Sequence, residues 1–383
     1  MLTNLRIRNF RMLEDLEIPK LGRVNLIVGK NNSGKSSILE ALRLYTGKAS
    51  PELMRRILIS HDEYYDFNQN SNIENTNNWH GLKNLFTNRE FPENENTFIS
   101  IASEEGNLIK IEYVFYYIKE EPVIDNEGDI IDITSRRVII NQSELSTIEE
   151  TSLPTPAIRI TLKSGRNTLL DLNEDNRKRP LSVFWLLNAG DSLKCSFVST
   201  TFSSTESLAK LWDQITIGPN EDIVLDALKI IDENIERLAF VESENRTGRL
   251  AIIKLKNSDT RIPLSSMGDG MSRILQLILS VFSAKDGLLL IDEFENGLHY
   301  SVQEEVWRII FQLAKDLNIQ VFATTHSWDC IESFTKAAVS SPEEGILLKV
   351  SKSKLTSDNG KIIATIYDEE ALKTVTASAL EVR

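Results

Sequence analysis

Val24-Asn25-Leu26-Ile27-Val28-Gly29-Lys30-Asn31-Asn32-Ser33-Gly34-Lys35-Ser36-Ser37 is the stretch whose reading decides the fold. Its first five residues read as a strand buried on both faces. Residues 29–36 fit G-x-x-x-x-G-K-[ST]. Residues 37–45 read as a helix with Ile38, Leu39, Ala41, Leu42 and Tyr45 on its apolar side. Strand, glycine-rich loop and helix in that order are what a phosphate cradle requires. Gly29 and Gly34 let the backbone turn its N–H groups inward, and the helix start adds a positive dipole end. Lys35 would reach the β and γ phosphates, and the Ser36 hydroxyl would ligate Mg²⁺. The nucleotide-binding set is then Gly29, Asn31, Asn32, Ser33, Gly34, Lys35, Ser36 and Ser37.

Leu288-Leu289-Leu290-Ile291-Asp292-Glu293 is an apolar strand ending in two carboxylates. Tips of parallel strands are where open α/β sheets bind ligands. Asp292 would orient the metal shell. Glu293 would hold the attacking water and take its proton, since carboxylate oxygens accept both water hydrogens. Ala323-Thr324-Thr325-His326-Ser327 ends the next apolar strand, which places His326 where it could sense the γ phosphate or the water. The expected catalytic set is Glu293, His326 and Lys35, with Ser36 and Asp292 on the metal.

Around these segments, short apolar strands alternate with amphipathic helices, which means a parallel sheet with helices packed on it. Helices are expected at 205–215, 221–235, 272–282 and from Trp328. Strands are expected at 109–118, 137–140, 158–162, 238–241 and 250–255. Residues 119–132 are acidic and read as a loop. Ten of the 29 residues at 68–96 are Asn, which favours a long surface loop with a short helix near 79–86. The expected layout is a nucleotide-binding head at 1–50 and 155–383, with a loop-rich and β insertion at 51–154.

The 383 residues carry 43 Lys and Arg against 56 Asp and Glu, a net charge of −13. A surface coated in phosphate-binding charge is excluded, so DNA, if bound, meets a local patch. Arg177-Lys178-Arg179 is the densest basic run and reads first as a solvated turn. Cys195 and Cys330 offer no disulfide framework and no paired zinc spacing. The N-terminus lacks a long apolar core, and no run approaches the roughly 18 apolar residues of a membrane span. A cytoplasmic protein with no membrane partner is expected.

These residues resemble the ABC-type ATPase superfamily, and the resemblance implies a P-loop NTPase α/β fold of ABC-ATPase head type with ATP and Mg²⁺ as cofactors. It also implies that Leu264-Ser265-Ser266-Met267-Gly268-Asp269-Gly270 is a signature loop, Ser266, Gly268 and Gly270 serving the nucleotide of an opposite subunit. Met267 and Asp269 stand where that superfamily has Gly and Gln. Glu295-Asn296-Gly297-Leu298-His299 occupies the place of the D-loop, which crosses the dimer interface. For the Q-loop, Gln142 and Gln214 are candidates.

Within the superfamily the chain resembles the OLD and anti-phage defence ATPases. The resemblance rests on Leu5-x-Ile7-x-Asn9-Phe10, Asn32-x-Gly34-Lys35-Ser36-Ser37, Ser266-x-Gly268-Asp269-Gly270, Asp292-Glu293-x-Glu295-x-Gly297-x-His299 and Thr324-Thr325-His326-Ser327. Several OLD proteins carry a TOPRIM nuclease with an Asp-x-Asp. None occurs here and 57 residues follow His326, so a TOPRIM partner is expected as a separate polypeptide, as in the phage anti-restriction-induced system. The leading expectation is an ATPase that dimerises, or forms a higher homo-oligomer, around shared ATP sites and controls an effector. A RecF-type DNA-repair ATPase and a transporter's ATP-binding subunit are the alternatives. The first is disfavoured by His326. The second is disfavoured by the altered signature and the 230-residue spacing from Ser36 to Ser266. A non-enzymatic nucleotide-gated scaffold is disfavoured by Glu293.

Overall fold

A computed structural model describes the chain except residues 65–78, 105, 125–129, 141–144, 146–152, 174–192, 217, 243–247, 257–259, 369, 373 and 375–383. Two compact units result. The first comprises Met1–Leu5, Glu17–Thr46 and Leu193–Arg383, and the second Arg6–Leu16 and Gly47–Ser192.

The first unit is built on a six-stranded sheet of β3 (Val24–Val28), β9 (Cys195–Val198), β13 (Leu288–Ile291), β14 (Gln320–Thr325), β15 (Gly345–Lys352) and β16 (Ile362–Tyr367). The order is β16-β15-β3-β14-β13-β9. All neighbours are parallel except β15 and β16. Thus β14 lies between the strand that feeds the phosphate loop and the strand that ends in Asp292. Ile291 is level with Ala323 and Val198, and Thr325 with Val28. The strands therefore deliver Ser199, Asp292, His326 and Gly29 to one edge of the sheet. Every residue of β3 is buried. Asn25 is its polar member, accepting from the Gly22 N–H at 2.9 Å and donating to Gly22 and Val321 carbonyls at 2.9 and 3.1 Å. With its amide satisfied, burial carries little penalty.

Helix α1 (Lys35–Thr46) follows the loop. Helices α3 (Thr205–Asp213), α4 (Pro219–Lys229), α5 (Asp269–Ser283), α6 (Tyr300–Asp316) and α7 (Trp328–Ser340) complete this unit, with the small antiparallel sheet β10 (Ile235–Glu242), β11 (Arg249–Leu255), β12 (Arg261–Pro263). On α5, Met271, Ile274, Leu275, Leu277, Ile278, Leu279 and Val281 are all buried. At about 1.5–3 kcal/mol for each such side chain, their burial outweighs the several kcal/mol that desolvating Arg273 on the same helix costs. Two chain excursions leave this unit and return close to their departure points. The Leu21 N–H donates to Thr3 O at 2.7 Å, and Arg43 near the end of α1 lays its guanidinium over the Phe197 ring of β9, 4.2 Å from its centre.

The second unit is an antiparallel sheet. It contains β1 (Leu5–Phe10), β2 (Leu13–Ile18), β4 (Ile99–Ser103), β5 (Gly106–Ile124), β7 (Thr155–Leu162) and β8 (Asn167–Asp171) in the order β2-β1-β4-β5-β7-β8. A further strand, β6 (Ile130–Ile140), pairs with β5. Helix α2 (Pro51–Ile59) starts at a Ser50 cap. Glu112 is clamped by Arg159 at 2.8 and 2.9 Å and by Lys110 at 2.7 Å.

The structure departs from the sequence reading in three places. Residues 119–124 and 130–132 are strand rather than loop, because β5 and β6 pair as one long hairpin on which Lys119 and Glu121 form an exposed ion pair. The helix expected over 221–235 ends at Lys229, and Ile235 opens β10. The Asp232 carboxylate accepts the Asn234 N–H at 2.9 Å, a local turn that stops the helix. The division between units falls at residues 192 and 193, not 154 and 155, because β7 pairs with β5 along its whole length.

Candidate active site

The loop 29–36 spans β3 and α1, and its shape depends on Gly29. A Cβ there would lie 2.3 Å from Val350 O and 2.7 Å from Ser33 Oγ. Asn32 adopts φ 58°, a left-handed conformation that Asn tolerates better than most residues. Lys35 Nζ folds over the loop and donates to the carbonyls of Gly29 at 2.7 Å and Lys30 at 2.9 Å. Burial pushes the Lys35 amine below its ordinary value, opposed by the charges of Asp292, Glu293 and Glu295. The Ser33 hydroxyl is buried without a hydrogen-bond partner.

Ser36 Oγ faces the Asp292 carboxylate at 3.3 and 3.4 Å. Among the described residues no group of three or more His, Cys, Asp or Glu side chains could hold a metal. One hydroxyl and one carboxylate nonetheless fit Mg²⁺, which keeps several waters and takes phosphate oxygens beside one or two carboxylates. The orphaned Ser33 hydroxyl and the loop's N–H groups suit the phosphates themselves.

At the end of β13 the chain turns sharply. Glu293 has φ 48°, a left-handed conformation that costs a bulky residue about 1–3 kcal/mol. Several elements impose it. The Glu293 N–H donates to Thr324 Oγ1 at 2.9 Å, and that same hydroxyl donates to Asp292 Oδ1 at 2.6 Å. Phe294, fully buried, stacks on Trp307 of α6 with ring centres 3.8 Å apart. Arg273 Nη2 donates to the carbonyls of Asp292 at 3.1 Å and Glu293 at 2.9 Å, while Nη1 donates to Ser199 O at 2.8 Å. Desolvation lowers the Arg273 guanidinium to about 10, against the raising influence of Glu295, Asp292 and Glu293. Sequence reasoning gave Arg273 and Thr324 no role. The available signal was a lone Arg directly before the apolar helix run Ile274–Val281 and a Thr inside a buried strand.

His326, at the tip of β14, brings Nδ1 to 3.2 Å from Glu295 Oε1 and 3.8 Å from Glu293 Oε1. Lys35, Ser36, Asp292, Glu293 and His326 thus gather at one sheet edge, with Glu295 added. Ser266, Gly268 and Gly270 lie apart from these contacts, in the turn Leu264–Met267 and the start of α5. Ser266 and Gly268 are exposed there, and no side chain caps the helix. Gly268 has φ 92° with open space around it, so glycine serves the backbone there and not a close neighbour. Gln214 is exposed at the end of α3. Gln142 and Arg177, Lys178 and Arg179 fall outside the described residues.

A phosphate loop, a facing Ser–Asp pair and a carboxylate beyond the Asp, on a sheet with one strand between the two, define a P-loop NTPase with the expected α/β fold. The AAA ATPase domain family matches residues 1–331, and the chain belongs to it. It is an ATPase, converting ATP and water to ADP and phosphate. A protein named ATP/GTP phosphatase from Helicobacter pylori is 24% identical over 361 residues, 87% of each chain. The OLD nuclease of Thermus scotoductus is 25% identical over 347 residues, 85% of this chain and 59% of that protein. The Smc head domain of Pyrococcus furiosus, solved with the C-terminal domain of ScpA, aligns over 99% of both chains at 12% identity and a TM-score of 0.48. Among the described residues no helix is long and apolar enough to cross a membrane.

Proposed function

We propose that two copies of the chain close around two ATP molecules, each held by the phosphate loop of one copy and the Ser266–Gly270 turn of the other. The observation that carries this is a contrast at the N-terminal end of α5, between its first turns and the turn that leads into them. Arg273 ties the helix to the carboxylate turn, whereas Ser266 and Gly268 at its start are exposed and uncapped. Free N–H groups at a helix start suit a γ phosphate.

Within one copy, Lys35 and the N–H groups of residues 29–36 bind the β and γ phosphates. Ser36 and Asp292 would hold Mg²⁺, which would supply positive charge against that developing on the phosphate oxygens. Thr324 fixes the Asp292 carboxylate. Glu293, aimed by its left-handed backbone, orients the attacking water and accepts its proton. His326 stands at the γ-phosphate end. Closure on ATP and loosening after hydrolysis would drive a separate effector in anti-phage defence or DNA transactions in the cytoplasm. The likeness to the OLD nuclease supports a nuclease, such as a TOPRIM protein, as that effector.

The test mixes two inactive variants, Lys35→Ala and Ser266→Arg, under conditions that exchange subunits. A mixed dimer has one site carrying both defects and one site assembled from intact halves. Measurable ATP hydrolysis should return on mixing. Full turnover by an obligate monomer would overturn the shared-site reading.

A further inference from the structure

Glu295 lies three residues beyond Asp292, in the turn closed by the Leu298 N–H on Glu295 O at 2.9 Å. Its side chain is only 12% exposed. Its Oε1 accepts the His326 backbone N–H at 3.0 Å, and the ring Nδ1 of the same residue lies 3.2 Å from that oxygen. The other oxygen is buried without a partner. Glu293, at 3.8 Å, is beyond hydrogen-bond distance of the same nitrogen. An ionised carboxylate is an acceptor only, so the nitrogen facing Glu295 must carry a hydrogen.

We propose that Glu295 is the positioning residue of the site, clamping His326 so that Nδ1–H is committed to the carboxylate and Nε2 is left for the nucleotide. This rests on the placement of His326 at the ATP site. The clamp takes hold of both backbone and ring, so it fixes the angle of the imidazole as well as its tautomer. A ring held this way offers Nε2 as an acceptor to the attacking water when neutral and as a donor to a phosphate oxygen when doubly protonated. Without the clamp, ring and tautomer are both free to change. Glu293 is then left to the water, and the two carboxylates have separate tasks.

The test labels histidine with nitrogen-15 and reads the ring of His326, one of four histidines in the chain, assigned by its loss in His326→Ala. At a pH where the ring is neutral, the full-length wild type should show the Nδ1–H tautomer. Glu295→Ala should shift it toward Nε2–H and lower kcat about tenfold or more, with KM for ATP changed less than about twofold. Glu295→Gln keeps an acceptor oxygen and should retain the tautomer and most of the turnover. Adding Glu295→Ala to His326→Ala should cost nothing further. An Nε2–H tautomer in the wild type overturns the proposal without any variant. So does an unchanged tautomer in Glu295→Ala, or losses that multiply in the double variant. If His326→Ala hydrolyses ATP at the wild-type rate, the placement of His326 at the reaction fails, and the tautomer reading separately decides the clamp.

Discussion

The turn at Asp292–Glu293 and the turn at Leu264–Gly268 both precede helices at the site, yet they are built oppositely. The first is strained and over-determined. One hydroxyl, one guanidinium and one stacked aromatic pair hold a backbone that a Glu would otherwise avoid. The second is exposed and uncapped, with a glycine in the left-handed region. A group that must aim at a water is worth holding rigidly, because misplacement erodes the rate steeply. A group that must meet another molecule is better left accessible. The contrast separates chemistry supplied from within the chain from contact awaiting a partner.

That contrast can be broken most forcefully at Phe294. Phe294→Ala should destabilise the protein by about 3–5 kcal/mol, read by urea unfolding, because it empties a fully buried stacked site. A smaller loss, about 2 kcal/mol, is expected for Arg273→Met, which strands the carbonyls of Ser199, Asp292 and Glu293. Turnover should fall in that variant even where it remains folded. Unchanged hydrolysis in folded Arg273→Met would mean that the bracing does not serve Glu293. At the open turn, Ser266→Ala should alter stability by less than about 0.5 kcal/mol while lowering ATP turnover. A large stability loss there would erase the distinction between the two turns.

The smallest expected effect concerns Lys35. Its amine is pushed down by burial, so the folded state binds the proton less well than the unfolded chain does. Carrying the charge thus costs stability at neutral pH. The cost fades as pH rises from the lowered folded value to the ordinary 10.5. Nucleotide-free Lys35→Met should be slightly the more stable at pH 7, and the gap should narrow in alkali. Thermal unfolding across that range checks the sign.

The phosphate loop, the carboxylate strand and the His326 strand were legible because each is a local pattern: an apolar strand followed at once by its polar tip. What escaped the sequence was through-space pairing. Arg273 lies twenty residues before the carbonyl of Glu293 it binds, and no spacing rule connects them. Residues 119–123 are all exposed, as are 131–137 on the strand paired with them, so neither face of the hairpin imposes an apolar rhythm. Asp232 hides a helix end behind residues that also suit helices, since the stop is made by its side chain on Asn234.

The hydrogen bond from Leu21 to Thr3 and the stacking of Arg43 on Phe197 have an architectural consequence. Each marks a doorway where the polymer leaves the first unit and re-enters beside itself. The cost of closing such a detour grows only with the logarithm of its length. Whole modules can therefore be lengthened, traded or added beyond those doorways over evolutionary time while the catalytic edge keeps its register.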